Sequence, residues 1–340
     1  MTPNARFNEF ISDITPSTTT DKQSASSHLR VRDVICSDDG YKANVIRTFL
    51  GGSYKRKTAI RPATKNGDIE RPDVDIYVVV TGSEWTKTPE ELIDDLFSVL
   101  NKNRSELNIT KIKRNRCSIA ISTDKADMDI SPLLEKDSTG FFRIGNRETG
   151  EWYQTEPEEH TRWSADINSQ VSGRFNSLVK LIKWNRREFP TNYKHPKSIV
   201  LEVLIANNMD RQEKHFGKGV HQLFVNIVDT YAFSITIGYV PVLDDPAVSG
   251  GNLLQGVSFE AFNAFFEKTK SFRDLAQKAL EAEKQEKATE YWRKIFGVRF
   301  PQTKSSSNSK GSMLQASTVV SPLAFPEVPS MPPNKPADFA

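Results

Sequence analysis

Gly51-Gly52-Ser53-Tyr54, then Thr58, then Asp73-Val74-Asp75-Ile76-Tyr77-Val78-Val79-Val80 is the stretch that decides how this chain reads. Its last eight residues are an apolar run opened by two acids. Side chains alternate along an extended strand, so Asp73 and Asp75 share one face while Val74 and Ile76 take the other. Two carboxylates on one face suit a divalent cation. Mg²⁺ usually takes one or two carboxylates and completes its shell with water and phosphate oxygens. Gly51 and Gly52, lacking a Cβ, let backbone N–H groups approach a phosphate, and the Ser53 hydroxyl adds a donor or a ligand. Taken singly, Gly-Gly-Ser is an ordinary turn, and Asp-x-Asp is an ordinary solvated or lysine-paired acid pair. Their order carries the weight: the strand-like Val45 to Leu50 runs into the loop, and the acids open the next strand.

A site for phosphoryl or nucleotidyl transfer usually needs a third carboxylate. Cys117 to Ile121 reads as a short strand, Thr123-Asp124-Lys125 as a turn, and Ala126-Asp127-Met128-Asp129-Ile130 as a further strand closed by Ser131-Pro132. Asp127 and Asp129 again share a face. Asp129 lies deeper, between Met128 and Ile130, and is the favoured third ligand, with Asp127 the alternative.

These residues resemble a known family, the nucleotidyltransferases similar to cyclic GMP-AMP synthase and oligoadenylate synthase, and above all the bacterial cyclic-oligonucleotide synthases of anti-phage signalling. Gly52-Ser53-Tyr54-Lys55-Arg56, Thr58 to Pro62, Asp73-Val74-Asp75 and Met128 to Pro132 follow the bacterial pattern in order. Leu178 to Asn185 looks like the family's helix that carries a phosphate-contacting lysine, which by position is Lys183. Ser198, before Val200-Leu201-Glu202, resembles the serine that follows it. Tyr291 to Gly297 resembles the closing helix. Lys57 departs from the pattern, standing where a small residue is expected, and leaves open which of Lys55, Arg56 and Lys57 touches phosphate.

The resemblance implies an α/β (α+β) fold, a two-lobed polymerase-beta-like core with a mixed sheet carrying Asp73, Asp75 and Asp129 and a helical lobe carrying Lys183. It implies two Mg²⁺ or Mn²⁺ ions on the three acids, with Gly52, Ser53, Lys183 and Ser198 binding nucleotide. The activity expected is template-free nucleotidyl transfer from NTPs, giving a cyclic di- or trinucleotide, ATP among its sources, that acts on a separate effector in anti-phage defence. A rival within the same chemistry modifies tRNA ends or protein hydroxyls. That activity needs a macromolecular acceptor. A non-catalytic scaffold is disfavoured by the intact set of acids.

Composition narrows the class further. The 340 residues carry a net charge of +3 and a pI near 8.6, too mildly basic for a dedicated nucleic-acid binder. Lys55, Arg56, Lys57 and Arg61 cluster beside the proposed phosphate loop, whereas Lys111, Lys113, Arg114 and Arg116 read as a solvated strand face. Two cysteines, Cys36 and Cys117, make neither a metal-ligand spacing nor a disulfide scaffold. With no apolar leader in residues 1–10 and no run of about 20 apolar residues, the expectation is a cytoplasmic enzyme with no membrane contact. His215 and His221 read as helix or loop structure.

Along the chain, residues 7–36 read as mainly helical. Thr88-Pro89-Glu90-Glu91 is a capping-box start, and Leu92, Ile93, Leu96, Phe97 and Leu100 then recur at helical spacing. Phe175, Leu178, Val179 and Ile182 form a helical stripe, and Phe259 to Phe296 another. Expected divisions are 1–160 for the catalytic core with its N-terminal helix, 161–302 for the helical lobe, and 303–340 for a Ser- and Pro-rich disordered tail, on which the family resemblance implies that a regulatory or conjugating protein acts. The long polar stretch between Ser53 and Asp73, centred on Thr64 to Asp68, is expected to gate the site.

Overall fold

The computed structural model describes residues 2–62, 64, 65, 68, 69, 71–193 and 195–303. The proposed tail from 304 onward lies outside the described residues, as do residues 63, 66, 67 and 70 of the proposed gating loop, whose centre pairs as a short antiparallel hairpin, Thr64–Lys65 with Asp68–Ile69. Two helices, α1 (Asn4–Ile14) and α2 (Thr18–Ser37), precede β1 (Val45–Gly51) and a single helical turn, α3 (Gly52–Lys55). After the short β2 (Thr64–Lys65) and β3 (Asp68–Ile69) come β4 (Asp73–Val80), α4 (Pro89–Lys102), β5 (Lys111–Arg114), β6 (Ile119–Ser122), β7 (Asp127–Leu134), β8 (Phe142–Asn146) and β9 (Glu151–Thr155). The rest is helical: α5 (Pro157–Gln170), α6 (Arg174–Glu188), α7 (Ser198–Asn208), α8 (Phe216–Thr236), α9 (Phe259–Glu281) and α10 (Gln285–Phe296).

The main sheet is mixed, as expected. It runs β1-β4-β7-β6-β5, with β8 continuing from the far end of β7 and β9 beyond it. Only β4 and β7 are parallel among the main-sheet pairs, and their register sets Asp73 opposite Asp127 and Asp75 opposite Asp129. The helix α4 that follows β4 begins as its sequence predicts. Thr88 accepts from the Glu91 N–H, and the Glu91 carboxylate accepts in return from the Thr88 N–H. Its buried Leu92, Ile93, Leu96 and Leu100 pack with Val74, Ile76, Met128 and Ile130, the apolar faces of the two acid strands. Each such side chain, fully buried, contributes on the order of 1.5–3 kcal/mol. That packing pins the acids to the opposite face.

One expectation about β7 fails. Ser131-Pro132 does not close the strand, which runs on to Leu134. Pairing with β6 ends at Ile130 and pairing with β8 starts at Leu133, so Pro132, still in register with Val78 of β4, faces a gap in the ladder on its other side, where a missing N–H costs nothing.

A second core is helical. Phe7 and Phe10 of α1 meet Trp292, Phe296 and Phe300 edge-on or tilted, with ring centroids 5.1 Å apart for Phe7–Trp292, 5.4 Å for Phe10–Phe296 and 5.2 Å for Phe10–Phe300, while Trp292 and Phe296 stack at 6.0 Å. The N-terminal helix thus serves the helical half, while α2 serves the sheet through Val31, Val34 and Ile35. Both expected long helical stretches are interrupted. Pro16 and Ser17 part α1 from α2, with Ser17 capping the second helix, and residues 282–284 part α9 from α10. Contacts gather Met1–Thr303 into one unit, and the expected boundary after residue 160 falls inside α5. No helix among the described residues is long and apolar enough to cross a membrane.

Candidate active site

Four acids stand on one face of β4 and β7. Asp75 and Asp129 are register partners, as are Asp73 and Asp127 nearer the strand entrances. Withdrawal from water and the charges of Asp75, Asp129 and Asp127 push the Asp73 carboxyl up to about 7. Asp75 is raised for the same two reasons, burial first and Asp129 second, and partly relieved by Arg56 and Lys183. Two raised carboxyls beside a third are a standing demand for positive charge.

The neighbours of the two candidate third ligands differ. The Asp129 carboxylate accepts from Asn115 Nδ2 at 3.0 Å and Ser118 Oγ at 3.1 Å, both on the hairpin turn between β5 and β6. Those two bonds fix its rotamer beside Asp75. Asp127 is half-exposed and has Arg71 at 3.8 Å. Nothing in the sequence signalled the pair that holds Asp129, since a turn of Asn-Arg-Cys-Ser has many uses.

Why the loop at Gly51 and Gly52 needs glycine is visible in its packing. Gly52 has φ +61, and a Cβ there would lie 1.6 Å from Asp75 Oδ2. A Cβ on Gly51, the register partner of Asp75, would lie 2.4 Å from the Tyr77 ring. The glycines therefore let the loop close onto the acid strand itself, which brings the Ser53 backbone and hydroxyl beside the carboxylates.

A cavity of about 360 Å³ opens on this loop. Ser53, Asp73, Lys183, Arg186, Arg187 and Ser198 are among its walls. The structure thus brings together Ser53, Asp73, Lys183 and Ser198, as the sequence predicts, and adds three cations from outside the predicted set: Arg71, Arg186 and Arg187. Arg186 donates to Ser198 Oγ at 3.2 Å. A second cavity, of about 410 Å³, lies on the other side of Asp73 and Arg71 and is walled by Ser122, Asp127 and Asp129. Asp73 separates two spaces.

Lys183 sits differently from a bare phosphate hook. It is buried, and its ammonium donates to Glu202 Oε1 at 2.6 Å and to Thr58 Oγ1 at 3.1 Å. Glu202 also receives Arg56 Nε at 2.8 Å and Thr58 Oγ1 at 2.8 Å. Of the basic cluster beside the loop, Arg56 thus turns inward, Arg61 pairs with Asp13, and Lys55 and Lys57 face solvent. The second basic cluster is only partly a solvated strand face: Lys111 and Lys113 are exposed on β5, whereas Arg114 alternates to the other face, onto Asp94 and the Phe97 ring of α4, and Arg116 pairs with Glu148 from the turn after the strand. His215 caps α8, accepting from the Gly217 N–H, which is a structural role. Glu202 was missed, although one acid inside Ser198-Ile199-Val200-Leu201-Glu202-Val203-Leu204-Ile205 is a signal.

The family described as Second Messenger Oligonucleotide or Dinucleotide Synthetase domain matches residues 1–168. Over 344 aligned residues the chain is 36% identical to the "Cyclic AMP-AMP-AMP synthase" of an Acinetobacter species, covering 100% of this chain and 98% of that protein. The chain belongs to the CD-NTase family of bacterial cyclic-oligonucleotide synthases. Two CD-NTase structures share the fold. CdnG of Bradyrhizobium diazoefficiens, in complex with GTP, superposes with a TM-score of 0.72 at 14% identity, covering 87% of this chain and 96% of that one. CdnC of E. coli MS115-1, in its HORMA-deltaN complex, gives 0.69 at 21% identity with the same coverage. A CD-NTase is an enzyme that joins NTPs, without a template, into a cyclic oligonucleotide second messenger, and this chain's polymerase-beta-like core and helical half are built for that chemistry.

CD-NTases work with divalent metal, and the acids here fit one. Among the described residues no three of His, Cys, Asp and Glu close into a ready-made ligand cluster. What β4 and β7 present is an open set of hard oxygen donors whose mutual repulsion a cation relieves, beside a cavity walled by Arg71, Lys183, Arg186 and Arg187. That is the arrangement in which Mg²⁺ takes part of its shell from substrate.

Proposed function

We propose that this CD-NTase makes a cyclic di- or trinucleotide containing AMP, with a cyclic trinucleotide favoured by its 36% identity to a cyclic AMP-AMP-AMP synthase. The observation that carries the site assignment is the register of β4 on β7, which sets Asp75 against Asp129 beside the Gly52-Ser53 loop. Asp73, Asp75 and Asp129 would hold two Mg²⁺ or Mn²⁺ ions. Such ions lower the pKa of an acceptor ribose hydroxyl and neutralise the departing pyrophosphate. Gly52 and Ser53 would hold the triphosphate by backbone and hydroxyl donors, with Ser198 and the cations of the larger helical wall closing on its other side. Asn115 and Ser118 keep Asp129 aimed at the reacting centre. The hydroxyl gives up its proton to solvent, its oxygen attacks the α-phosphorus, the bond from that phosphorus to the oxygen bridging to the β-phosphate breaks, and pyrophosphate leaves with that oxygen. Ring closure repeats this step after the linear product turns to bring its own hydroxyl against its triphosphate. The catalytic half and the helical half would divide near residue 160, with the nucleotides between them.

The same proposal includes cytoplasmic action in anti-phage defence, a separate effector that binds the product, and a regulatory or conjugating protein partner. The HORMA-deltaN complex of the structural neighbour CdnC supports a protein partner. The test is incubation with labelled NTPs and Mg²⁺ or Mn²⁺ in the absence of nucleic acid, then phosphatase treatment and mass spectrometry. A phosphatase-resistant cyclic product from ATP, absent with Asp73→Ala, is expected. Label appearing only on added tRNA or protein would replace this proposal with the transferase that modifies them.

A further inference from the structure

Glu202 is fully buried, with no exposed surface at all, inside the otherwise apolar run from Ile199 to Ala206 of α7. It lies at the junction of two elements that both face the triphosphate cavity. From α6 it receives the Lys183 ammonium at 2.6 Å. From the turn after the Gly-Ser loop it receives Arg56 at 2.8 Å and Thr58 Oγ1 at 2.8 Å. Lys183 also donates to Thr58, so four groups form one closed cluster. One carboxylate therefore stands against two buried cations, with Arg186 as a further positive charge nearby. A buried ion cluster is a poor source of stability, because removing its charges from water offsets most of their attraction. Its position suggests another use. It ties the loop that carries Ser53 to the helix that carries Lys183, and it neutralises part of the cavity's positive wall from behind.

We propose that Glu202 is a positioning residue that acts as an internal stand-in for substrate phosphate: it holds Lys183 and Arg56 at the back of the cavity, and an incoming triphosphate competes with it for the Lys183 ammonium. Glu202 then sets NTP affinity. A lower affinity is the cost of keeping the cation aimed and paired in the empty site. The inference rests on the nucleotidyltransferase reading in taking an NTP as the ligand, but it concerns this chain's own ion cluster.

Burial, before any other influence, lowers the Lys183 pKa, with Arg56 and Arg186 pushing in the same direction and Glu202 opposing. The groups facing the ammonium are Glu202 of α7, Arg56 and Thr58 of the loop, Arg186 of its own helix, and Asp75 of β4 in the same field. Removing the Glu202 charge takes away the principal support for the protonated amine. Any gain in phosphate affinity from a freed ammonium should therefore be largest at low pH and fade as pH rises.

The experiment compares the full chain with Glu202→Gln and Glu202→Asp, using a non-hydrolysable ATP analogue with Ca²⁺ and measuring Kd from pH 6 to 9, alongside Tm and, with Mg²⁺ and ATP, KM and kcat. Glu202→Gln keeps size and hydrogen-bonding capacity and should tighten binding about three- to tenfold at pH 6–7. The ratio to wild type should return toward one by pH 9, and the change should fall on KM more than on kcat. Glu202→Asp, which keeps the charge, should stay within about twofold of wild type. An unchanged or weaker Kd with a lower Tm would make Glu202 purely structural and overturn the inference. If Glu202→Gln does not fold, the wild type still decides. The ¹⁵N signal of the Lys183 ammonium, assigned with Lys183→Arg, should shift when the analogue binds, and a signal that stays put overturns the inference. Failure of wild type to bind any NTP would sink the nucleotidyltransferase reading as well, which distinguishes that failure from this one.

Discussion

Asp73, Asp75, Asp127 and Asp129 crowd one face of β4 and β7, and the two of them on β4 are pushed toward protonation by burial and by neighbouring carboxylates, Asp73 by Asp75, Asp129 and Asp127 and Asp75 by Asp129. Across the cavity, Glu202 sits deeper still, yet its pKa is lowered, because Lys183 and Arg56 outweigh the cost of its burial. The two regions contain the same chemical group under opposite management. Where the fold provides a counter-charge, the site is closed and satisfied. Where it leaves carboxylates facing carboxylates, the missing charge has to arrive with the ligand. A catalytic metal site needs the second solution, and a scaffold that must keep a lysine aimed before substrate arrives uses the first.

The sharpest way to break this contrast is Asp75→Asn. If the acid face works by recruiting cations, this change should reduce NTP turnover by about a thousandfold or more while the protein still folds. Residual activity near wild type would mean that the acids are not the metal site. On the satisfied side, Glu202→Ala should leave Lys183 and Arg56 buried without an anion and cost about 3–5 kcal/mol, read as a fall in Tm of roughly 5–10 °C. A neutral result would show the cluster to be hydrated or loose.

Asn115→Ala removes one of the two donors that orient Asp129. Turnover should drop about tenfold with little change in Tm. Asp127→Asn, assayed beside it, should cost less, and a larger loss from Asp127 would exchange the two acids' roles.

The smallest effect is a pH signature. The Asp73 pKa moves from 3.8 to about 7 in the fold. Between those values the folded protein keeps a proton that the unfolded chain has released, so metal-free stability should decline as pH rises through about 4–7. Metal binding needs the ionised form, so activity should climb through the upper end of that window. Thermal scans in chelator and initial rates in Mg²⁺ should therefore run in opposite directions with pH, and Asp73→Asn should flatten the first.

Much of the acid face was legible because strand periodicity is strict. Alternation put Asp73 with Asp75 and Asp127 with Asp129, and the apolar partners Val74, Ile76, Met128 and Ile130 reported which face was buried. The capping box at Thr88 and the stripe that follows were equally local. What the sequence hid is non-local. The parallel register that pairs Asp75 with Asp129 depends on a crossover of some fifty residues, and the Asn115 and Ser118 bonds to Asp129 come from a hairpin turn with no distinguishing pattern. Pro132 read as a stop because no local rule says that a ladder has a gap there. Lys183 was placed correctly on its helix by resemblance. Its pairing with Glu202, nineteen positions on, could be suspected only from an acid stranded in an apolar run.

The most direct test of the open acid face is Mn²⁺ binding followed by electron paramagnetic resonance, with and without a non-hydrolysable ATP analogue, in wild type and Asp75→Asn. The expected result is weak Mn²⁺ binding by the protein alone, binding tightened at least about tenfold by the analogue, and loss of that coupling in the variant. Tight Mn²⁺ binding without nucleotide, or coupling that survives Asp75→Asn, would contradict the claim that the carboxylates of β4 and β7 form a metal site completed by substrate.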